Sequence, residues 1–541
     1  MSANQSLESL RWQAKQLLKS ARSGDAVVID RLRALLPRLA SFSNDAVTSA
    51  IKLADVQHAM ARRAGQASWR DLTRMLEHLD PLHLHAARFL KAVRDEHVSV
   101  AAGIFEAHPA LRHYSIHTAT AVADPETVNA FLAADPASAT RSTQPDDTEP
   151  MVYAVVQGIK DALSVSESAR FDTVRQLLDA GASANASVPP GDAPSRIPVL
   201  YFPCVVNNVA IARLLLERGA QVNDGEGLYH AAQHNHRECL EVLREFGADL
   251  SSRHASFGNT PLYFLATHRE SNPLTAKATL GMQWLLEHGA DPNVPSSIAP
   301  SRVAVPDALE LPLHRIAAAG RGAEVACMLV AHGAVVDAPR GDGRTAYAMA
   351  VRVGNTGTAD YLASVGADIT HVPMVDRLLG ACARADEGEA HAIVSANPDI
   401  VSLLSAEDRQ ELGVAIGDNR HATVQLMLSL GWSLVDEGEW GGTPLHWAAW
   451  HGRVSLVRAL LERGAPINVR DSQYGSSPIA WAAHGSTNAG HDYDGDYVAI
   501  VNLLLDAGAT RTESYNRWNE SPESMASPAV AGALKVRGFA V

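Results

Sequence analysis

The chain has 541 residues, 46% hydrophobic, 20% charged and only 6% aromatic, with a formal net charge of −14 at pH 7. Such a composition describes a soluble protein with cores built of Ala and Leu. The acidic excess argues against nucleic acid or an anionic membrane as partner, because phosphate binding needs clustered Lys and Arg.

In chain order, the opening MSANQSLESLRWQAKQLL lacks the charged start, apolar block and small-residue cleavage site of a secretory signal. No apolar run is long enough to span a bilayer. Cys204, Cys239, Cys327 and Cys382 are scattered without metal-ligand or disulfide-framework spacing, so reduced thiols and a cytoplasmic location are expected. Residues 1–80 read as a helical leader, with helices at about 6–22, 25–36, 53–64 and 69–79. Residues 81–147 read as degenerate helix pairs that end in stops such as HPAL and DPAS. Residues 148–512 read as an array of helix–turn–helix units.

The unit is clearest in GGTPLHWAAWHGRVSLVRALLERGAPIN, residues 441–468. Thr443 caps a first helix and Pro444 takes its first position. Leu445, Ala448 and Ala449 form a small apolar stripe, and Gly452 makes a tight turn. Val454, Val457, Leu460 and Leu461 recur at helical spacing on a second helix, and Gly464 ends it in a left-handed cap. One such unit cannot bury both its faces, so it must stack on copies of itself. Residues 513–541 read as a shortened closing unit, because Ser521-Pro522 repeats the Thr-Pro start.

The TPLHxAA and LLxxGAxxN strings resemble the ankyrin-repeat family. The helix-ending glycine recurs at Gly181, Gly219, Gly247, Gly289, Gly333, Gly366, Gly431, Gly464 and Gly508, at separations of 38, 28, 42, 44, 33, 65, 33 and 44 residues. The family period is 33 residues, and the 65-residue gap holds two units, one of them degenerate. The resemblance implies an all-α solenoid of about twelve helix–turn–helix repeats with β-turn fingers, behind a helical N-terminal cap. The string LADVQHAMARRAGQASWRDLTRML is similar to leaders ahead of ankyrin arrays in bacterial proteins. It implies a bacterial source and a leader that covers the exposed apolar end of the stack, with a small recognition module as the other possibility.

Departures from regularity carry the functional signal. Three units lengthen the connection between their helices, at 158–170, 268–279 and 485–496. Two lengthen the finger between units, at 187–197 and 295–309, where Pro-rich strings point to semi-rigid extended edges. In the family, the fingers and the exposed side of the first helices form the binding surface. Phe257, Trp440, Tyr474 and Trp518 each stand three residues before a Thr or Ser helix start. On the first helices, Trp447 and Trp481 are equivalent, as are Trp450 and His484, with His451 adjacent. Five of the nine tryptophans fall between 440 and 518, and Trp and Tyr dominate interface hot spots. Packing of Trp440 and Tyr474 against neighbouring turns is the competing structural role. A second set, His230, Gln233, His234, Phe264, Arg315 and Arg352, takes comparable positions in earlier units.

Chemical signatures fail. His113 and His117 have the spacing of zinc ligands on a helix but no third ligand and no intervening general base. The resemblance makes His446 and His314 structural histidines of the turns. Asp492, Asp494 and Asp496 resemble the first three ligand positions of a calcium loop, but Tyr497 replaces the required glycine and Leu503 the closing Glu. No metal, cofactor or catalytic residue is expected. Two functions fit. One is a non-enzymatic scaffold that holds a neutral or basic protein partner through its groove, centred on 440–496. The other is a small-molecule binder or unusual enzyme in which the 268–279 and 485–496 insertions close over the groove and His451, His484, His491, Asp492 and Asp494 supply acid–base groups.

Overall fold

The computed structural model describes residues 3–39, 42–64, 66–77, 81–143, 147–188, 196–269, 272–297, 309–489, 495–511, 514–518 and 520–539. They fall into two compact units, Met1–Asp249 and Leu250–Val541. The His491, Asp492 and Asp494 positions lie outside the described residues.

The first unit opens with helices Ala3–Arg22, Ala26–Leu35, Leu53–Arg63 and Trp69–Glu77, and with a helix Asn44–Ala50 that the sequence reading left out. Asn44–Ala50 is short, but Ser43 caps it by accepting the Ala46 N–H, and Val47 is buried. Ala14, Ile29, Leu32, Leu39, Val47, Ile51 and Val56 bury one another, so the leader builds a small core of its own. Helix pairs then follow, among them Pro81–Arg94 with Val98–Ala107 and Gly227–Gln233 with Arg237–Glu245. The second unit continues in the same style from Pro261–Ala266 with Thr275–Glu287 to Pro522–Met525 with Pro528–Val536. Its core is a chain of Leu, Ala and Val drawn from successive pairs, including Leu379, Ala415, Ala448, Leu460, Ala482 and Leu504.

The motif residues explain why the pairs stack. All nine helix-ending glycines have φ between 81° and 104°, where a Cβ would cost about 1–2 kcal/mol. After Gly464, the Ala465 N–H reaches back to the Leu460 carbonyl at 3.0 Å, which satisfies an otherwise orphaned helix-end acceptor. The closing Asn of the motif then clamps the next unit. Asn468 donates to the Gly508 carbonyl at 3.0 Å and accepts the Thr510 N–H at 2.8 Å. Asn293 does the same with Gly333 and Val335, as does Asn185 with Gly219 and Gln221.

The turn histidines add a second tie. His446 Nδ1 accepts the Thr443 N–H at 3.1 Å, and its Nε2 donates to the Ser476 carbonyl of the following finger at 3.0 Å. His314 links Leu311 to Ala338 in the same way. Burial holds both imidazoles down at about 4, so they are neutral at pH 7.

Not every lengthened connection is a loop. Residues 158–170 contain a helix, Gly158–Ala162, and then Ser166 caps the helix Glu167–Asp179. In 268–279 the second helix starts early, at Thr275. Buried Arg321 pins the connection by donating to the His268 carbonyl at 3.2 Å and to Thr279 Oγ1 at 2.5 Å. In 485–496 the first helix instead runs on to Asn488. Residues 187–188 and 197–198 form a short antiparallel pair, and Ser296 bridges to Glu310. These fingers therefore leave the stack as hairpin stems.

Candidate functional site

The finger 435–442 projects Trp440. The Gly438 N–H donates to the Gly442 carbonyl at 2.9 Å and closes the turn. Trp440 itself sits at φ 58°, ψ 18°, a left-handed conformation that a bulky side chain adopts only when its surroundings enforce it. It remains 42% exposed while stacking on Trp447 at a centroid separation of 5.4 Å. Trp447 in turn stacks on His451 at 5.5 Å. Burial, reinforced by the Arg453 cation, holds the His451 imidazole down at about 4. The ring is thus a neutral stacking surface at pH 7.

Trp481 is the hub of the cluster, and the structure corrects its reading as an exposed anchor: it is only 5% exposed. Its Nε1–H donates to Asp471 Oδ2 at 3.0 Å. The same buried carboxylate accepts the N–H groups of Tyr474 and Ser476 and so shapes the finger 471–476. Trp447, Trp450 and Tyr474 lean on Trp481 at centroid distances of 5.7, 6.1 and 6.5 Å. A Cβ on Gly442 would lie 2.6 Å from Trp481 Cη2, so glycine is required there for the finger to approach the ring. Beyond the hub, Trp450 meets His484 edge-on at 5.3 Å, and Tyr474 meets Trp518 at 6.1 Å.

These rings line two adjoining cavities. One, of about 390 Å³, is bordered by Trp440, Trp447, Trp450 and His451 together with Arg269, Arg409, Asp418 and Asp436. The other, of about 580 Å³, is bordered by Trp440, Trp450, Tyr474, Trp481, His484 and Trp518 together with Asn488, Asn516, Glu520 and Met525. Trp440, Trp450 and Asn488 border both. Arg269 of the 268–279 insertion and Asn488 of the 485–496 insertion thus reach the same cavity.

The second set of residues divides between the two units. In the first unit, His230 Nδ1 pairs with Gln233 Oε1 at 2.8 Å, its Nε2 lies 3.2 Å from Glu226, and its ring meets Tyr201 edge-on. His234 stacks on His236. In the second unit, Phe264 meets His268 edge-on. Arg352 is absorbed by ion pairs to Asp376 at 2.9 Å and Asp408 at 2.7 Å. The Arg315 Nε is buried with no hydrogen-bond partner among the described residues. The sequence reading missed Asp224, whose Oδ1 accepts the N–H groups of Glu226 and Gly227 beside His230. Burial pushes its carboxyl up to about 6. It also missed Asn516, Glu520 and Met525, which carry no spacing signal because they sit in the irregular closing unit.

His113 and His117 face different partners, Thr127 at 3.0 Å and the Arg141 carbonyl at 2.6 Å. Asp496 accepts the Ala499 N–H and caps a helix. No group of three metal-ligating side chains occurs among the described residues, and no described helix is long and apolar enough to cross a membrane.

Residues 374–513 match the family model for ankyrin repeats, in three copies. The chain is 32% identical over 154 residues to ankyrin repeat protein nuc-2 of Neurospora crassa, covering 28% of this chain and 12% of that protein. It is 31% identical over 183 residues to human ankyrin repeat and SOCS box protein 16, covering 33% of this chain and 37% of that protein. It is 32% identical over 88 residues to palmitoyltransferase Hip14 of Drosophila melanogaster, covering 16% and 12%. The chain thus spans well under half the length of these relatives, and their eukaryotic origins lend no support to the bacterial source expected from the leader. The ankyrin repeat domain of human ASB11 aligns over 52% of this chain and 98% of its own, at 21% identity and a TM-score of 0.26. Residues 374–513 thus match ankyrin repeats, within a chain whose described residues are mostly helical.

Proposed function

We propose that this chain is a non-enzymatic, cytoplasmic protein-interaction scaffold that seats a segment of a partner protein against the aromatic cluster at 440–518. Ankyrin repeats are in general protein-interaction modules, and the observation that supports this use of them is the pair of adjoining cavities joined through Trp440 and Trp450. Large rigid rings of this kind supply contact area at little entropic cost. Trp440 is held in a strained backbone, so its position is not explained by stability alone. The nearby histidines serve structure: His446 ties two units together, and His451 and His484 are stacking partners of Trp447 and Trp450. The net charge of −14 favours a neutral or basic partner.

The test is quantitative capture from native lysate with the wild type and with Trp440→Ala/Trp450→Ala. Trp481 is unsuitable, because its substitution would empty a buried site. The reading predicts loss of specific partners with an unchanged thermal unfolding transition. Equal capture by the folded double variant would remove the cluster from the interaction.

A further inference from the structure

Arg269 is foreign to the smaller cavity. It stands in the connection between Pro261–Ala266 and Thr275–Glu287, whereas Arg409, Asp418, Asp436 and Glu437 belong to the pair Ala406–Gly417 and His421–Ser429 and the finger that follows it. The pairs that open with Pro312–Ala318, Ala346–Arg352 and Met374–Ala383 come between them in the chain. Stacking brings together only neighbours in the chain, so it is the lengthened connection that carries Arg269 there. Its backbone is held on both sides. Buried Arg321 donates to the His268 carbonyl, and the Arg269 carbonyl accepts from Thr275 Oγ1 at 2.6 Å and from the Asn272 N–H at 2.9 Å. Arg321 is itself fastened, because its carbonyl accepts from Asn355 Nδ2 and Thr358 Oγ1, each at 2.8 Å. Beyond this fixed root, Arg269 is exposed.

We propose that Arg269 is an autoinhibitory occupant of the smaller cavity, standing at its acidic margin in place of a basic side chain of the partner and leaving when that side chain docks. The proposal rests on the scaffold reading above and adds its regulation. The Arg269 charge is felt inside the cavity wall: burial pushes the Glu411 carboxyl up, and the cations of Arg352, Arg420 and Arg269 act against that rise. The carboxylates around it are held only loosely by their own units. Asp436 pairs with Arg409 at 3.1 Å, Asp418 with Arg420 at 3.5 Å, and Glu411 stands 3.9 Å from Arg352. Exposed charge contacts are weak and exchangeable, so an incoming cation can take the place of Arg269. A neutral side chain there would leave the half-buried Glu411 with one cation fewer. The contact therefore selects for a basic anchor. It also lowers the apparent affinity for that anchor by the fraction of chains in which Arg269 is away.

The experiment titrates the full chain with the N-acetyl methylamides of arginine and of citrulline, its uncharged isostere. Tryptophan fluorescence reads binding, because Trp440, Trp447 and Trp450 border the cavity. Arg269→Ala is expected to bind the arginine amide about two- to five-fold more tightly than the wild type, the range an exposed charge contact supplies. The citrulline amide should bind the variant no more tightly than it binds the wild type. Arg269→Lys keeps the cation and should behave as the wild type. Arg269 is exposed, so the thermal unfolding transition should be the same in all three chains, which is the folding control.

Equal affinity of the wild type and Arg269→Ala for the arginine amide, or no saturation of either, would overturn the proposal. An equal gain for the citrulline amide would also overturn it, by making Arg269 an obstacle of bulk rather than of charge. None of these results touches the lysate capture with Trp440→Ala/Trp450→Ala, so failure of the autoinhibitory contact is distinguishable from failure of the scaffold reading.

Discussion

At the residue scale, Trp440 separates function from stability. Its left-handed backbone costs about 1–2 kcal/mol, while its stack on Trp447 returns about 0.5–1.5 kcal/mol. Trp440→Gly should therefore change the unfolding free energy by less than about 1 kcal/mol, measured in urea, and still abolish partner capture. The buried histidines give a pH prediction. In the unfolded chain an imidazole titrates near 6.5, whereas His314 and His446 in the fold titrate at about 4. Between those values the unfolded chain binds protons that the native chain refuses. Stability is thus fully present above about pH 6.5 and falls as pH drops towards 4, by at most about 1.4 kcal/mol per pH unit for each histidine. His446→Gln should flatten that slope in pH-resolved urea titrations; an unchanged slope would show that His446 does not contribute to it.

Some of these residues were legible and some were not. The roles of His446 and His314 follow from the TPLH pattern, because an imidazole three residues after the cap reaches back to the cap N–H. Trp447 and Trp481 hold equivalent positions in sequence, yet one is half-buried and the other buried. The difference lies in Asp471, whose carboxylate accepts the Trp481 N–H, and in Gly442, which lets the preceding finger close over the ring. Neither contact has a periodic signature. Arg352 reads as a groove residue because its buried acidic partners come from the two following repeats.

At the scale of the element, the motif predicts where the stack is held. Asn468→Ala removes both bonds of one clamp between units and should cost about 1–2 kcal/mol in urea unfolding. Gly464→Ala forces a Cβ into φ 81° and should cost about the same. Leu460→Ala empties a fully buried site and should cost about 2–5 kcal/mol. The helix-ending glycines were plain in the sequence because only the left-handed cap explains nine of them in register. The helix inside the lengthened connection at 158–170 was not legible, because Gly158–Ala162 is too short to show a period. Its anchors, buried Ile159 and Lys160, declare themselves only in three dimensions.

At the scale of the molecule, charge and site agree on the kind of partner. A chain of net charge −14 should attract a basic segment at a distance, so raising ionic strength from about 0.05 to 0.3 M should slow association several-fold while dissociation changes little. Surface plasmon resonance with a captured partner reads both rates. The claim that the aromatic cluster is the docking face has one direct measurement. A photo-crosslinking amino acid is placed at position 440 and, in separate preparations, at the exposed positions Val365 and Leu403, and adducts are compared in native lysate. The account predicts a discrete protein adduct from 440 that is absent from 365 and 403 and is lost when Trp450→Ala is added. Adducts from 365 or 403 with none from 440 would contradict it.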